Sequence, residues 1–190
     1  MEYSEADKDN VLIEAFLAGD EGALERLFER YRRPIYNYLH GIFSGDSAVA
    51  DDVFQETWMR IINALPKFGD LGNFAGWAFR IAHNQAMQSF RRQRTRDKVG
   101  ALTADGELPE SAAARADGAP DAVAHSGEIA ERLESALAKL PPEQREVFLM
   151  RREDMSFREI AAIQKCPLNT ALSRMRYVTM FLRKELEDLL

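Results

Sequence analysis

Apolar residues recur every three or four positions through most of this 190-residue chain. That spacing is the period of an amphipathic α-helix, and no stretch shows the strict alternation of a half-buried strand. Leu24, Leu27, Phe28 and Tyr31 illustrate the repeat. The pattern predicts an all-α fold. It also predicts a kink or break at Pro34, because proline cannot donate the backbone hydrogen bond of a helix interior.

The segment from residue 96 to residue 127 interrupts this helical pattern. It holds few large apolar side chains and many alanines, glycines, aspartates and prolines. Such a composition cannot bury enough apolar surface to fold by itself. We therefore predict two small helical domains, residues 1–95 and residues 128–190, joined by a flexible acidic linker over residues 96–127.

The composition excludes several classes of site. The single cysteine, Cys166, cannot build a disulfide framework or a cysteine-based metal site, and the three histidines match no metal-ligand spacing. No apolar run reaches the ~20 residues that a membrane span requires, and the acidic N-terminus MEYSEADKDN is unlike a signal peptide. We expect a cytoplasmic protein with no metal, cofactor, membrane insertion or small-molecule substrate, in which Cys166 is a small packing residue.

The distribution of charge raises a question about function. The chain carries 31 Asp and Glu against 25 Lys and Arg, yet residues 91–96 read RRQRTR. A net-negative chain should bind nucleic acid poorly by itself, because phosphates attract net positive charge. Arginines in the last turn of a helix also interact favourably with its dipole. The cluster therefore has two explanations, a helix end and a local nucleic-acid contact.

The helix that leads into this cluster, capped by Asn73, separates into two sides at about 100° per residue. One arc is mostly apolar and predicts a core face: Phe74, Trp77, Ala78, Ile81, Ala82 and Gln85. The other side offers the donors, acceptors and positive charge that phosphates and base edges require: Arg80, His83, Asn84, Gln88, Arg91, Arg92 and Arg94. Phe79 and Phe90 lie beside that stripe, where they could stack on exposed bases or simply pack.

A second candidate interface lies near the C-terminus. Ser156 and Glu159 complete a capping box, the turn QKCP follows, and a long helix begins at about Leu168, which together predict a helix-turn-helix. An ordinary helical hairpin with a solvated outer face is the alternative. The expected buried stripe is Ala171, Met175, Val178 and Leu182. The expected base and phosphate contacts are Asn169, Thr170, Ser173, Arg174, Arg176 and Tyr177.

Three segments in this order resemble the extracytoplasmic-function (ECF) sigma factors of bacterial RNA polymerase. DDVFQETWMRI, at 51–61, resembles the helix by which these proteins grip the polymerase clamp. The segment 68–92 resembles the part that melts and reads the minus-ten promoter element, and 140–176 resembles the domain that binds the minus-thirty-five element. The resemblance implies an initiation factor, not an enzyme. Its implied partners are core RNA polymerase (the β′ clamp and the β flap), promoter DNA and an anti-sigma factor that holds it inactive until a stress or envelope signal.

The resemblance also implies roles for individual residues. It assigns polymerase contacts to one helix: Asp51, Asp52, Gln55, Glu56 and Trp58. Asn84 matches the wall of a pocket for a base flipped out of the minus-ten element, and the loop 67–73 matches the opposite wall. Asp52 and Glu56 lie four residues apart, as paired catalytic carboxylates can, but nothing else completes a catalytic site.

The chain departs from the family at three places in the second interface. Lys165 stands where the turn often has glycine, Asn169-Thr170 where Gly-Thr is usual, and Leu172 where a basic residue is common. The last change removes a phosphate or base contact, so we expect altered recognition of the minus-thirty-five element.

Two other functions fit parts of the sequence. A dimeric helix-turn-helix repressor or activator would not need the long acidic linker or the DDVFQE helix. A decoy that sequesters an anti-sigma factor would not need the stripe from Arg80 to Arg94. A gel shift with and without core polymerase separates the repressor from the initiation factor, since a repressor binds its operator alone.

Overall fold

The computed structural model describes residues 5–44, 46–69, 73–103 and 124–187, and over these ranges it contains eight α-helices and no strand. The helices are α1 (Glu5–Leu17), α2 (Glu21–Ile42), α3 (Ser47–Ala64), α4 (Phe74–Thr103), α5 (Ala124–Ala138), α6 (Pro142–Arg152), α7 (Phe157–Ile163) and α8 (Leu168–Glu185). A 3-10 turn, Leu65–Lys67, follows α3. The all-α prediction is confirmed.

Helices α2, α3 and α4 contribute large side chains to a common core. Leu27, Ile35 and Leu39 of α2 belong to the same buried cluster as Ile61 of α3 and Phe79 of α4. Each of these side chains is at most 2% exposed. Burying one such side chain stabilises the fold by roughly 1.5–3 kcal/mol, so the apolar spacing along the sequence fixes the inward face of each helix.

Helix α2 continues through Pro34, so the break predicted there is absent. Proline in a helix interior costs about 3 kcal/mol, because it removes a backbone donor and crowds the preceding turn. Buried side chains lie on both sides of it, Leu27 before and Ile35, Tyr38 and Leu39 after. Their packing outweighs the local cost and keeps the helix continuous.

Local signals set the ends of the helices, beginning with the end of α1. Gly19 has a positive φ of 104°, which glycine adopts without strain. The amides of Gly19 and Asp20 donate to the carbonyls of Phe16 and Ala15, both at 2.9 Å. This pattern is a Schellman motif, and it ends the first helix where the sequence predicted.

Side-chain caps begin α3 and α4. Asp46 Oδ1 accepts from the amide of Val49 at 3.2 Å, and Asn73 Oδ1 accepts from the amide of Gly76 at 2.8 Å. Each cap satisfies one of the backbone donors that a helix leaves free at its start. Both helices therefore start where the sequence placed them.

Helices α4 and α5 are longer than the sequence indicated. α4 runs to Thr103 and α5 begins at Ala124, so residues 96–103 and 124–127, assigned above to the linker, are helical. Arginine, lysine, alanine and leucine in the first stretch are good helix formers, and α4 continues through them. Residues 104–123 of the expected linker lie outside the described part of the chain.

The N-terminal and C-terminal helices also pack on each other, α6 against α2 and α7 against α4. Tyr38 of α2 is fully buried and donates its hydroxyl to Oε1 of Glu146 in α6, 2.5 Å away. Arg145, also in α6, donates to the backbone oxygen of Ile42 at 3.1 Å. Helical periodicity gave no sign of this contact.

Hydrogen bonds keep Glu146 ionised in this contact. Burial acts to raise the pKa of Glu146, but hydrogen bonds from His83, Tyr38 and Gln164, together with the charge of His83, hold it below its ordinary value. Nδ1 of His83 lies 2.6 Å from Oε1 of Glu146, within hydrogen-bond distance.

We predict that Ser156→Ala lowers the free energy of unfolding by about 1 kcal/mol, as loss of an N-cap does. Ser156 Oγ accepts from the Glu159 amide at 3.3 Å, and Glu159 Oε2 accepts from the Ser156 amide at 2.7 Å, so the expected capping box is present. Urea titration followed by circular dichroism measures the loss. Ser156→Gly should lower the free energy of unfolding by only a few tenths of a kcal/mol. Equal losses in the two variants would argue against the capping role.

The stability that this capping box contributes depends on pH. Burial acts to raise the pKa of Glu159, while hydrogen bonds from Ser156 and Asn73 lower it. The net effect is a pKa below the ordinary value of 4.5. A carboxyl group whose pKa falls on folding stabilises the native state above its unfolded pKa and loses that contribution as the pH falls through the folded value. The stability lost in Glu159→Gln should therefore be present at neutral pH and shrink below pH 4.5.

Candidate nucleic-acid interface

The exposed face of α3 is acidic. Asp51, Asp52, Gln55 and Glu56 are all exposed, because the apolar positions of α3 turn into the core. Asp51 also lies against Tyr36, where its hydrogen bond raises the pKa of the phenol and burial adds to the shift. Four of the residues predicted for polymerase binding therefore share a face that a partner can reach.

Trp58, the fifth residue predicted for this face, lies in the core instead. Its side chain is 5% exposed, and its ring packs edge-on against Phe28 with centroids 4.8 Å apart. Trp58 follows Phe54 by four residues and so lies on the same inward side of α3. The structure gives Trp58 a packing role beneath the acidic face.

Glu56 connects the acidic face to α4. Its Oε2 accepts from Nε2 of Gln85 at 3.0 Å, and its Oε1 accepts from Arg92 at 3.2 Å. Gln85 is buried, as its place on the apolar arc predicted, so Glu56 satisfies a polar group that has little access to water. The exposed ion pair with Arg92 contributes little to stability, but it directs one arginine of the cluster toward α3.

The predicted stripe of α4 faces solvent over most of its length. Its exposed members are Arg80, Asn84, Arg91, Arg92 and Arg94. Gln88 is partly buried and accepts from Arg60 at 3.5 Å, and His83 is partly buried against Glu146. The structure thus brings most of the predicted cationic and amide groups to one open side of the helix.

Phe79 packs inside the protein and Phe90 is half-buried, so the packing alternative holds for Phe79, while Phe90 packs and keeps part of its ring exposed. Phe79 is 2% exposed and its ring lies edge-on to Tyr38, with 5.5 Å between centroids. Phe90 packs on Phe43 at 4.9 Å. The helical wheel placed both rings outside the apolar arc, but α2 also contacts α4, so the buried face is wider than one arc.

A cleft of about 350 Å³ opens between α3 and α4 beside the stripe. Its walls combine two cations, three amides and a small apolar floor: Arg60, Asn63, Ala64, Lys67, Ile81, Asn84 and Gln85. Asn84 was predicted to line a base pocket. Arg60, Asn63 and Lys67 were not, although their three-to-four spacing was visible in the sequence and places them on one side of a helix.

The inward stripe predicted for α8 is confirmed. Ala171, Val178 and Leu182 are buried, and Met175 is half-buried. The exposed outer side carries most of the second predicted set: Asn169, Ser173, Arg176 and Tyr177. This orientation leaves a polar and partly basic helix face open to a partner.

Two other predicted residues of α8 are less open. Thr170 is half-buried. Arg174 is half-buried because its Nη1 donates to Gln164 Oε1 at 2.7 Å and lies 3.7 Å from Sγ of Cys166. Arg174 therefore fastens α8 to the preceding turn, and the half-buried Cys166 packs beside it.

The turn before α8 is made by a strained residue. Lys165 has a φ of +52°, in the left-handed region that costs a residue with a Cβ about 1–2 kcal/mol. Glycine, common here in the family that the sequence resembles, adopts this region freely. The helix-turn-helix forms despite the substitution, at an energetic cost.

Among the residues that the structure describes, no helix is long and apolar enough to cross a membrane. The same part of the chain contains no group of three His, Cys, Asp or Glu side chains that could hold a metal ion. Residues 70–72 of the predicted loop 67–73 lie outside it, and so does the part of the base pocket expected from them.

Comparison with known proteins identifies both helical units. The family model Sigma-70 region 2 matches residues 27–96, and the model Sigma-70, region 4 matches residues 130–176. The ECF RNA polymerase sigma-E factor of Escherichia coli is 31% identical over 176 residues, which cover 90% of each chain. The chain belongs to the ECF sigma factors. It is a transcription initiation factor, not an enzyme.

Further relatives of this sigma factor agree in length and fold. The RNA polymerase sigma-H factor of Pseudomonas aeruginosa is 29% identical over 187 residues, 97% of this chain and 96% of its own. The sigma factor RpoE of Bartonella quintana, solved with the anti-sigma factor NepR, has a TM-score of 0.66 at 24% identity over 86% of this chain and 96% of its own. CnrH, solved with the cytosolic domain of CnrY, has a TM-score of 0.68 at 22% identity over 96% of this chain and 99% of its own. Below, α1–α4 are called region 2 and α5–α8 region 4.

We predict that Lys165→Gly raises the free energy of unfolding by about 0.5–1 kcal/mol. Relief of the left-handed strain exceeds the extra entropy that glycine loses on folding. Urea titration of the full chain measures the gain. Lys165→Ala removes the same side chain but keeps a Cβ, so it should bring no gain, and an equal gain in both variants would assign the effect to the lost lysine.

Proposed function

We propose that this sigma factor directs core RNA polymerase to a class of promoters through three surfaces. The acidic face of α3 binds the clamp of the β′ subunit, the stripe and cleft of α4 read and help melt the minus-ten element, and the outer face of α8 reads the minus-thirty-five element. One observation carries the proposal: α4 buries an apolar face and exposes arginines and an amide beside an open cleft.

The charge and exposure of the α3 face support polymerase binding. A compact acidic patch suits a basic surface, and such complementarity raises the association rate and suppresses wrong partners. Glu56 also holds Gln85 and Arg92, so its removal would disturb α4 as well. Asp52 is exposed on the same face, so a substitution of Asp52 tests that face without disturbing α4.

The cleft supports capture of one unstacked base. Its volume of about 350 Å³ is at the lower end of the range for small-molecule sites. The amide of Asn84 offers a donor and an acceptor to a base edge, and Arg60 and Lys67 can meet the phosphate of the extruded nucleotide. Flipping a base costs a few kcal/mol, which the captured base and the polymerase together offset.

The α8 face supports readout of duplex DNA. The second helix of a helix-turn-helix enters the major groove and contacts base edges with its N-terminal residues. Asn169 and Ser173 lie at that end of α8, and Arg176 follows on the exposed side. Leu172 is 41% exposed among them, and it offers a thymine methyl an apolar contact where a basic side chain would bind phosphate.

An inhibitory partner is part of the proposal. RpoE and CnrH were each solved with a second protein, NepR or the cytosolic domain of CnrY, and NepR is an anti-sigma factor. We infer that an anti-sigma factor holds this chain inactive until a stress or envelope signal. The β flap is the proposed polymerase contact of region 4, and the cytoplasm is the proposed location.

In vitro transcription tests the proposed function directly. Core polymerase with this sigma factor should start transcripts at discrete positions on genomic fragments, and core polymerase alone should not. The rival is a conventional helix-turn-helix repressor. Specific binding of the chain alone to duplex DNA in a gel shift, without any stimulation of transcription, would favour that rival.

We predict that Asp52→Arg weakens binding to core polymerase by about tenfold or more, because like charges brought together in an interface cost several kcal/mol. Titration of core polymerase measures the change. Glu25→Arg makes the same charge change at an exposed site of α2 and should leave the affinity unaltered. Equal losses in the two variants would show that net charge, and not the α3 face, is responsible.

A double variant of α4 tests DNA contact separately from polymerase binding. Arg91→Ala with Arg94→Ala removes two exposed arginines and spares Arg92, which pairs with Glu56. Affinity for core polymerase should stay unchanged. The slope of promoter affinity against salt concentration should fall by about 2, one for each lost phosphate contact.

We predict that Asn84→Ala relaxes base preference at one position of the minus-ten element by about 5- to 150-fold, the discrimination that one good base contact supplies. Transcription from a promoter library with randomised elements measures it. Asn169→Ala is the matched variant on α8 and should relax a position of the minus-thirty-five element instead. An unaltered minus-ten profile in Asn84→Ala would remove this residue from the base pocket.

A further inference from the structure

Glu56 belongs to two of the proposed surfaces at once. It lies on the exposed acidic face of α3, and its carboxylate also accepts from two side chains of α4, Gln85 at 3.0 Å and Arg92 at 3.2 Å. One turn farther along α3, Arg60 donates to Gln88 of α4 at 3.5 Å. A row of polar contacts that begins at Glu56 therefore joins the helix proposed to bind polymerase to the helix proposed to read the promoter.

The two oxygens of Glu56 are held unequally. Oε2 accepts from Gln85, which is 3% exposed, and a buried amide that loses its acceptor is costly. Oε1 accepts from Arg92, and the side chains of Arg92 and Glu56 are 51% and 46% exposed. An ion pair this open to water is weak. The inner oxygen is thus fixed, while the outer oxygen can change its partner without moving the carboxylate.

The charge around Oε1 selects the kind of partner that can replace Arg92. A carboxylate offers only acceptors, so the new partner must be a donor. Asp51 and Asp52 are exposed on the same face, and their charges favour an approaching cation over a neutral donor. Two cations at one oxygen repel each other, so a basic side chain that arrives at Glu56 competes with Arg92.

We propose that Glu56 changes partner when core polymerase binds: a basic side chain of the clamp takes Oε1, and the released Arg92 turns to a promoter phosphate. The proposal rests on the proposed function, because it takes α3 as the polymerase face and α4 as the reader of the minus-ten element. In the free chain, Arg92 occupies the place of the polymerase cation. Polymerase binding thereby supplies α4 with one more phosphate contact.

Competition at Glu56 has a measurable consequence for polymerase affinity. The apparent dissociation constant is the intrinsic constant divided by the fraction of chains that are competent to bind, and the pair with Arg92 lowers that fraction. Exposed ion pairs are weak, so removal of the competitor should tighten binding by only about 1.5- to 5-fold. The direction is diagnostic, because loss of an ordinary interface residue weakens binding.

The first variant removes the competitor. Arg92→Ala should bind bacterial core polymerase about 1.5- to 5-fold more tightly than wild type. Its matched control is Arg96→Ala, the same loss of charge at an exposed position one turn farther along α4, which should leave the affinity unchanged. Titration of the full chain with core polymerase, without DNA and at low salt where charges are least screened, measures both.

The second variant tests whether the gain acts through Glu56. Glu56→Gln keeps an acceptor for Gln85 but offers no charge to Arg92 or to a clamp cation. Addition of Arg92→Ala to Glu56→Gln should therefore bring no gain in core affinity, and the double-mutant cycle isolates this coupling. Glu25→Gln, the same change at an exposed site of α2, is the control background and should preserve the gain. A gain that persists in Glu56→Gln would show general charge repulsion and overturn the exchange.

The promoter measures the other half of the exchange. With saturating core polymerase, Arg92→Ala should lower the slope of promoter affinity against salt concentration by about 1, as loss of one phosphate contact does. The same substitution therefore strengthens polymerase binding and weakens promoter binding. A general defect in folding would weaken both.

The outcomes separate the exchange from the proposed function. If wild type binds core polymerase but Arg92→Ala and Arg96→Ala bind with equal affinity, the exchange is overturned and the proposed function stands. Tighter core binding with an unchanged salt slope would show that Arg92 does not reach DNA and would also overturn it. If wild type does not bind core polymerase, the proposed function fails and the exchange fails with it. Should Glu56→Gln not fold, the comparison of Arg92→Ala with Arg96→Ala and the salt slope decide.

Discussion

The burial of one face of α4 is the constraint on which the rest of the structure depends. Phe74, Ala78, Phe79, Ala82 and Ala86 are buried in the core, and burying a large side chain such as Phe is worth roughly 1.5–3 kcal/mol. A rotation of α4 about its axis would exchange these side chains for arginines, so the packing fixes where the arginines point. The clefts and contacts beside α4 follow from that one orientation.

Net charge and local charge act over different distances in this protein. The net charge of −6 opposes the approach of free DNA, but beyond the ~8 Å screening length at physiological salt its effect is weak. The proposed DNA contacts of the α4 arginines fall inside that length, and Glu56 holds one of these arginines, Arg92, toward α3. DNA affinity of this kind is useful only when a larger partner holds the helix against the duplex, which is the arrangement that a polymerase supplies.

The sequence predicted what neighbouring residues determine and missed what distant residues determine. Helix starts at Asp46 and Asn73 follow from residues three positions apart, and the inward stripe of α8 follows from residues three or four positions apart. Phe79 was misplaced because the buried side of α4 depends on which other helices pack against it, and α4 alone does not encode that. The inward place of Trp58 follows from its spacing along α3, and only the family resemblance assigned it to the polymerase face. The hydrogen bond from Tyr38 to Glu146 joins residues 108 positions apart, and no pattern in either helix marks it.

The contact between α6 and α2 combines a polar part and an apolar part that contribute differently to stability. Burial opposes the ionised form of Glu146, and the hydrogen bonds of the contact compensate for it, so the polar part contributes geometry more than strength, as buried charges generally do. The buried side chain of Leu149, packed at Gly41 of α2, supplies the strength instead, because exposing it to water would cost free energy.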